Sequence, residues 1–530
     1  MVLATLASAQ FLMALDSSVM NVSIAQVADD LGTTVTGVQT AITLYTLVMA
    51  SLMILGGKLG AIYGRKRIFG IGIVIYAAGS LTTALAPNLP VLLIGWSGLE
   101  GVGAALIMPA VVALVAGNVS EEKRPAAYGL IAAAGAIAVA VGPIIGGAVT
   151  TSFSWRWVFL GEVLFAAVIL VAVRRLEGPG SERRPQLDLF GAFLSVLGLV
   201  LVVYGVLRSS EWGWVQPKAG SPELLGTSLV FWMILGGLFV LWGLVRWLER
   251  LESRGREPLF SPRLLSNARL RNGLSLFGVQ VFMQAGIFFT IPLFLSVVLG
   301  LSAFETGLRL MPLSLGLLIS AIGVPRIFPR AYPRRVVQGG IVSILIGTVT
   351  LIGGLEVGAD AAIVATPLLL IGLGIGAMAS QLGAVVVSSE PESEAPSVGG
   401  LQNTATNLGA SLGTALVGSL LIAVLSATLA QGVQGNPEIP DRVEQQATVQ
   451  LESGIPFLSD ADLEEALTGA GVDPATTAEI VDQNEKARYA GLRIALAVVV
   501  LLGLIGLFLS SGLPARPGQG GGERGDPAQA

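Results

Sequence analysis

The chain contains fourteen apolar stretches of roughly twenty residues, and the segments between them leave no room for a soluble domain. A helix of that length, rising about 1.5 Å per residue, crosses a hydrocarbon layer of about 30 Å. Because hydrocarbon offers no hydrogen-bond partners, backbone N–H and C=O groups must pair within each segment, which favours helices. The pattern predicts an all-α membrane protein and excludes a water-soluble fold. The predicted spans are 3–26, 39–60, 68–86, 90–116, 126–150, 155–176, 187–208, 226–248, 273–298, 304–327, 336–355, 361–388, 398–428 and 489–512.

The composition limits the chemistry that such a protein can perform. A mean hydropathy of +0.76 with 12% charged residues fits no ordinary soluble class. The chain has no cysteine, which excludes disulfides and thiolate metal sites. It has no histidine either, so any proton chemistry must depend on carboxylates. We expect no bound metal, no organic cofactor and no nucleic-acid partner.

The basic residues predict the orientation in the membrane. They are concentrated in alternate loops, beginning with the loop after the second span, and such loops remain cytoplasmic. Both termini are therefore predicted to be cytoplasmic in a cell membrane, with an acidic extracellular loop at 430–487 and a disordered tail at 513–530. The first span has no basic leader or cleavage pattern, so we interpret it as a helix rather than a signal peptide. The cytoplasmic set includes Arg65, Lys66, Arg67, Arg174, Arg175, Arg246, Arg250, Arg254, Arg256, Arg326, Arg334 and Arg335.

The order of spans and basic loops suggests a duplication. A short basic loop follows the second span at 64–67, and a similar one follows the tenth at 326–335. Paired halves with a shared midplane site are the usual architecture of secondary transporters. We therefore predict a six-helix bundle over 1–176, a linker with two extra transmembrane helices over 177–271, and a second six-helix bundle over 272–512. The two extra helices are expected to be peripheral packing.

Three acidic residues lie inside predicted spans. Asp16 is near the middle of the first span, Glu100 is near the middle of the fourth, and Glu162 is about two turns from one end of the sixth. A charge at bilayer depth costs about 2.5–3.5 kcal/mol on insertion scales, so such residues usually face a cavity and serve function. The alternative is a neutral acid in the helix packing or, for Glu162, a side chain that extends towards water.

Burial and like-charged neighbours both favour the neutral carboxylic acid. At least one of the three is therefore predicted to exchange its proton near neutral pH. An ionised carboxylate in a low dielectric also attracts a lipophilic cation. Protons and a cationic substrate would then compete for one site.

Several runs resemble signatures of the major facilitator superfamily, in its fourteen-helix drug:proton antiporter branch of the EmrB/QacA type. Residues 57–67, with Gly57, Gly64, Arg65 and Lys66, are similar to the signature of the loop between helices 2 and 3. Residues 15–19, around Asp16, resemble the acidic motif of helix 1. The runs 155–159 and 400–404 recur in that branch as well. The helix-5 antiporter motif is matched by Gly135, Gly142, Pro143, Gly146 and Gly147.

The resemblance implies two six-helix bundles plus two extra helices, and export of small lipophilic compounds driven by inward proton flow. Ala61 stands where the loop motif has an Asp, Ser97 where helix 4 has an Arg, and Glu162 where the later run has an Asn. Glu100 replaces a Gln. These departures remove one acid and one base and add two acids, which suggests altered coupling.

Two further sets of residues have two interpretations each. The helix-5 glycines and Pro143 permit bending and close packing, either as a seal and hinge between the halves or as plain packing. Two pairs of amides in the second half, one turn apart, can hydrogen-bond a substrate or join helices. These amides are Gln280, Gln284, Asn403 and Asn407.

The sequence thus predicts a proton-coupled exporter of small lipophilic, cationic compounds, not an enzyme, that works by alternating access. Its partners are a small-molecule substrate, protons and the lipid bilayer, and we expect a monomer. One alternative is export of a native metabolite, antibiotic or envelope lipid. Another is a transport-deficient sensor or scaffold on the same fold.

Overall fold

The computed structural model describes residues 2–119, 124–175, 187–218, 220–328, 332–356, 361–387, 389–390, 395–434, 436, 439–440 and 459–513. Within these ranges, thirteen helices are long and apolar enough to cross a membrane. A pair of helices bent by 41° adds a fourteenth span if it is counted as one. The predicted all-α membrane fold is confirmed. The predicted tail beyond 513 and much of the acidic loop lie outside the described residues.

The first bundle is built from the helices of the N-terminal third. Its fourth span contains a π-helical segment, Leu93–Glu100, between two α-helical parts. The helices are α1 (Val2–Val22), α2 (Ile24–Asp30), α3 (Val35–Tyr63), α4 (Arg65–Ala84), α5 (Leu89–Leu92), α6 (Gly101–Asn118), α7 (Arg124–Ser152) and α8 (Arg156–Val173).

The insert pair, α9 (Leu189–Trp212) and α10 (Leu229–Ser253), follows and is joined by a small antiparallel hairpin of β1 (Glu223–Leu224) and β2 (Thr227–Ser228). The second bundle completes the described chain. Its helices are α11 (Ala268–Leu293), α12 (Ala303–Arg309), α13 (Met311–Ile327), α14 (Pro333–Gly354), α15 (Ala365–Val387), α16 (Ala395–Val433), α17 (Asp460–Gly469) and α18 (Pro474–Leu509).

Short polar residues set many of the helix starts. Thr34, Asn88 and Asp188 each accept a hydrogen bond from a backbone N–H in the first turn that follows. Such caps satisfy backbone donors that have no partner within the helix. Gly64 separates α3 from α4 with φ of +97°, a conformation that a side chain would strain. The tight turn in the basic loop therefore requires this glycine.

Three boundaries differ from the sequence prediction. The first span, predicted as continuous over 3–26, breaks at Ser23, whose hydroxyl is 2.8 Å from that of Thr150. The tenth span bends before Pro312, which has no backbone N–H to donate. The last helix begins at Pro474 rather than 489, because the Asp473 side chain caps it and its first turns are amphipathic. The described part of the predicted acidic loop from 459 onwards is thus largely helical, including α17.

The two bundles meet along two seams. At the seam of α3 and α16, Gln39 donates to the Thr414 carbonyl at 2.9 Å, and Ser411 donates to the carbonyl of Thr43 at 3.0 Å. At the seam of α7 and α12, Gly147 approaches the Ala303 carbonyl so closely that a Cβ would overlap it. One seam thus depends on side-chain hydrogen bonds and the other on backbone contact.

The insert pair is more than peripheral packing, because α9 covers the α3–α16 seam. Leu199 and Val203 of α9 pack with Leu47 of α3. Ser419 of α16 donates to the carbonyl of Val206 at 3.1 Å. In α10, by contrast, only 17% of the most apolar stretch is buried, the smallest share among the spans. The prediction of peripheral packing therefore fits α10 but not α9.

Candidate functional site

The three intramembrane acids converge inside the first bundle. One oxygen atom from each of Asp16, Glu100 and Glu162 lies within 4.8 Å of the other two. Their exposed fractions are 0%, 0% and 2%, so none of them faces lipid and none is open to water in this conformation. We call this group the acid cluster. Helices α1 and α8 supply two of its members, and the π-helical segment supplies the third.

The π-helical segment orients Glu100. A π-helix adds a residue to each turn and so rotates the side chains that follow, and such segments frequently occur at functional sites. Here the segment ends at Glu100 and directs Trp96, Ser97 and Glu100 into the bundle, where all three are buried. Ser97, at the position where the family signature has an Arg, donates to the Ala41 carbonyl at 2.8 Å. It joins α3 rather than the cluster.

Close packing with α4 fixes the position of the segment. A Cβ on Gly79 would lie 2.5 Å from Cγ of Glu100 and 2.7 Å from the Gly95 carbonyl oxygen. A Cβ on Gly95 would lie 2.7 Å from the hydroxyl oxygen of Thr83. Real Cβ atoms do not tolerate such distances, so these two glycines allow the helices to approach. The Glu100 side chain therefore lies directly against α4.

Asp16 is held by a tryptophan. The indole Nε1 of Trp96 donates to both carboxylate oxygens, at 2.9 and 3.1 Å. The ring of Tyr45 stacks on Trp96 with a centroid distance of 4.9 Å and an interplanar angle of 4°. Because an indole N–H can only donate, Asp16 always has a donor in this arrangement.

The two glutamates have hydroxyl neighbours on α4. Glu162 accepts from Tyr76 at 3.2 Å and from Ser80 at 3.3 Å through the same oxygen, Oε2. The Thr83 hydroxyl oxygen lies 3.0 Å from Oε1 of Glu100 and 2.9 Å from the carbonyl oxygen of Gly79. All of these side chains are buried.

The cluster lacks positive charge. No hydrogen bond or ion pair joins a Lys or Arg of the described ranges to any of the three acids. Oε2 of Glu100 and Oε1 of Glu162 are buried without a hydrogen-bond partner in the same ranges. Like charges at this spacing repel strongly in a low dielectric, which favours shared protons. The spacing also suits a hard cation, and the absence of a metal site stays a prediction.

The run 155–159, which resembles a family signature, connects several helix ends beside the acid cluster. Trp155 donates to Oδ2 of Asp30 at 2.9 Å, and Arg156 pairs with the same oxygen at 3.0 Å. Arg156 also donates to the Ala86 carbonyl at 3.1 Å and lies 4.5 Å from the Trp155 ring centroid. The run therefore joins α2, α4 and α8 six residues before Glu162.

The loop motif has structural contacts that sequence analysis did not identify. Arg65 donates to the Ala113 carbonyl at 3.1 Å, and Lys66 donates to that of Arg174 at 3.0 Å. Lys58 donates to the Pro258 carbonyl, beyond the insert pair. Near this end of α3, Gly57 packs on Pro109. The motif therefore connects α3 and α4 to α6, α8 and the linker.

The helix-5 motif packs on two neighbours. Gly135 and Gly142 lie against Gln10 and Ser18 of α1. Gly146 contacts Val19 of the same helix, where a Cβ would lie 2.7 Å from a methyl carbon. On the other side, the Pro143 carbonyl lies against Gly307 of α12 and Gly147 meets Ala303. This part of α7 is therefore wedged between the first helix and the second bundle.

The four amides of the second bundle are not equivalent. Asn407 donates to the Asn403 carbonyl at 2.9 Å and lies 3.9 Å from the Met53 sulfur, so it belongs to the α3–α16 seam. Gln280 is 3% exposed, and its Oε1 has no partner in the described ranges. Gln284 and Asn403 are partly exposed. Of the four, Gln280 has the clearest unused acceptor.

Sequence reasoning missed the donors around the cluster. Tyr76, Ser80 and Thr83 lie on α4 at spacings of four and three residues, which places them on one face of a helix. That polar stripe in an apolar span was the available signal. Trp96 offered a weaker one, four residues before Glu100.

Comparisons with known proteins agree with this architecture. Residues 6–414 match the family model described as Major Facilitator Superfamily. The puromycin resistance protein pur8 of Streptomyces alboniger is 31% identical over 81% of this chain and 83% of its own length. The multidrug efflux pump LfrA of Mycolicibacterium smegmatis is 26% identical over 94% and 93%.

Among solved structures, an inward-facing, unoccupied bacterial homologue of the human lysosomal transporter Spinster covers 97% of both chains. The TM-score is 0.61 at 14% identity. This likeness concerns the fold alone.

Proposed function

The chain belongs to the Major Facilitator Superfamily, and on that premise we propose that it exports small lipophilic, cationic compounds in exchange for protons. The superfamily makes it a multi-pass membrane transporter rather than an enzyme. The observation that carries the proposal is the acid cluster, in which three buried carboxyl groups lie within 4.8 Å and have no Lys or Arg partner in the described ranges. Such a group can take up and release protons as its environment alternates.

The coupling follows from the enclosure of the cluster. While the cluster is shielded from water, protonation of its carboxyl groups is favoured, because hydrocarbon and the neighbouring carboxyl groups both oppose charge. Opening of the bundle to water allows the proton to leave, and the resulting carboxylate attracts a cation. Each proton that moves inward gains about 2.3 kcal/mol per 100 mV of membrane potential. An exported monovalent cation loses the same amount, so a one-for-one exchange is driven by the proton concentration gradient, and the potential contributes only when more protons enter than charges leave.

The position of the cluster along the membrane favours proton entry from outside. Asp16 lies six residues before the end of α1, and Glu162 lies six residues after the start of α8. At 1.5 Å per residue, both are about 9 Å from the same end of the bundle. The distribution of basic residues supports an extracellular assignment for this end, with both chain termini cytoplasmic in the cell membrane. Both bundles belong to one chain, so alternation needs no second copy.

The names of the relatives support the class of cargo. One is named for resistance to puromycin and another for multidrug efflux. A buried anionic site adds a preference for cations among lipophilic compounds. Gln280, with its unused acceptor, is the best candidate in the second bundle for a substrate contact.

A second candidate is export of one native compound. The relative that is named for a single antibiotic favours it. The two are separated by competition: several unrelated lipophilic cations inhibit each other's efflux in a multidrug exporter, whereas one compound alone is transported in the other.

The test uses everted vesicles and a pH-sensitive dye, with ethidium as the first substrate. Addition of ethidium should release protons from energised vesicles that contain the wild-type chain. Asp16→Asn should abolish this signal. Glu249→Gln on the exposed surface of α10 is the matched control and should leave it unchanged. Unchanged proton-driven efflux in Asp16→Asn would remove Asp16 from the mechanism. No proton flux with any compound of a broad panel would favour the transport-deficient reading.

A further inference from the structure

We propose that Glu100 is the permanently neutral member of the acid cluster, a positioning residue that keeps its proton while Asp16 and Glu162 exchange theirs. The inference rests on the proposed function for the meaning of the exchange. Its structural basis is independent and concerns the hydrogen-bond donors that each acid receives.

The carboxyl groups of Asp16 and Glu162 each accept two hydrogen bonds from neighbouring side chains. The indole N–H of Trp96 reaches both oxygens of Asp16, and an indole cannot accept a hydrogen bond from a protonated acid. Two hydroxyl groups, on Tyr76 and Ser80, converge on one oxygen of Glu162. Donors that converge in this way stabilise the ionised form of a carboxyl group.

Glu100 is not supplied with donors in the same way. Its Oε2 has no partner in the described ranges, and the same holds for Oε1 of Glu162, so the two glutamates differ in the donors to their other oxygen. Its Oε1 is next to the Thr83 hydroxyl, which has a single hydrogen and lies even closer to the Gly79 carbonyl oxygen. When that hydrogen is directed to Gly79, the Thr83 oxygen accepts and Glu100 must be the donor. A protonated Glu100 therefore completes the hydrogen bonding of this contact.

The proximity of the groups requires at least one proton in the cluster. The ionisable groups that face Glu100 are Asp16 from α1, Tyr45 from α3, Tyr76 from α4 and Glu162 from α8. None of them is cationic. Three adjacent carboxylates in a dry site repel one another, so a proton stays where an anion has the fewest donors. Glu100 receives the fewest hydrogen-bond donors of the three acids, so it keeps the proton.

A neutral Glu100 has a mechanical consequence. It is the last residue of the π-helical segment, four residues after Trp96, and it is clamped against Gly79 of α4. A fixed carboxylic acid at this point holds the segment and hence the indole that donates to Asp16. Glu100 thus acts on the exchange through Trp96 rather than by carrying a proton itself.

The experiment compares isosteric and truncated variants in proteoliposomes of the full chain. Gln has the shape of a neutral Glu and retains a donor, so Glu100→Gln should keep ethidium-driven proton flux within about twofold, with the same pH profile. Glu100→Ala should lose flux. Asp16→Asn and Glu162→Gln should lose flux although they are equally isosteric.

Infrared spectroscopy gives a readout that does not depend on transport. The wild-type chain should show a buried carboxylic-acid C=O band that persists across the pH range over which flux changes, and Glu100→Gln should remove it. Loss of proton flux in Glu100→Gln, with ethidium binding retained, would overturn the proposal. A band at this site that titrates with the flux would do the same. If the wild-type chain transports no protons, the proposed function fails, while the band still decides the state of Glu100.

Discussion

The first and second bundles bury different kinds of polar and charged side chains. Among the described residues of the first bundle, the buried charged side chains are the three acids of the cluster. In the second, the buried charged residue is Arg488 of α18, which pairs with Asp460 of α17 at 2.5 Å towards one end. The interior of the second bundle instead contains amides and hydroxyls. The contrast suggests a division of work, with ion exchange in the first bundle and substrate recognition shared with the second.

The largest effect should come from removing the exchangeable acids, and the double variant should lose as much proton flux as either single variant. Asp16→Asn combined with Glu162→Gln should reduce proton flux in everted vesicles to the level of empty vesicles, because no exchangeable carboxyl group remains. The matched change in the second bundle, Gln284→Leu, should leave protons coupled to export. Full flux in the double variant would show that ion exchange does not reside in the first bundle.

A close glycine contact offers the next largest effect. Gly79→Val places a branched side chain where even a Cβ would lie 2.5 Å from Glu100. Overpacking of this kind costs about 1–3 kcal/mol, and here it should also displace the π-helical segment. Thermal unfolding in detergent should show a lower midpoint, and proton flux should fall. Gly161→Val on α8, where nothing lies within 4 Å, is the control. Equal effects at both positions would contradict the proposed fit.

The second bundle should respond in affinity rather than in coupling. Gln280→Leu removes an acceptor that is free among the described residues and should raise the KM for ethidium roughly 2- to 12-fold, the equivalent of one hydrogen bond. The ratio of protons to substrate should not change. Thr348→Val, whose hydroxyl already bonds its own helix at Ile344, should change neither quantity. A changed ratio of protons to substrate in Gln280→Leu would contradict the proposed division of roles between the two bundles.

The smallest effect concerns the ion pair at the end of the first bundle. Asp30 and Arg156 have side chains that are 28% and 30% exposed, and exposed pairs contribute about 0.2–1 kcal/mol. A double-mutant cycle with Asp30→Asn and Arg156→Gln, measured by unfolding, should give a coupling energy in that range. The single variants should retain proton flux. Loss of flux in Arg156→Gln alone would instead make this pair part of the exchange path.

Much of the fold could be predicted from local sequence. The number of spans and most of their bounds follow from hydropathy, and the superfamily follows from short runs such as 57–67. Asp16 and Glu100 were predicted to lie inside apolar spans, and both are buried in such helices; their depth in the membrane stays a prediction. The predicted helix boundaries were wrong at three places. The first span is interrupted at Ser23, and the tenth is bent just before Pro312. The last helix, α18, begins fifteen residues earlier than predicted. Breaks and extensions depend on caps and neighbours outside the apolar window.

The site itself was only partly predictable. Glu162 looked able to extend towards water, yet it is buried and lies beside Asp16. The stripe of Tyr76, Ser80 and Thr83 was present in the sequence but had no meaning without the acids opposite it. The π-helical segment could not be predicted, because apolar periodicity does not reveal one added residue per turn.

The sequence alone determined that this chain lies in a membrane, that any proton chemistry must use acids in place of histidine, and which three acids are available. These are local properties, fixed by the transfer of each segment from water to hydrocarbon. Only the tertiary structure brought residues 16, 100 and 162 together and gave each a different set of donors. That outcome depends on helix register and on how closely backbones approach at Gly79 and Gly95, and packing between distant segments decides both.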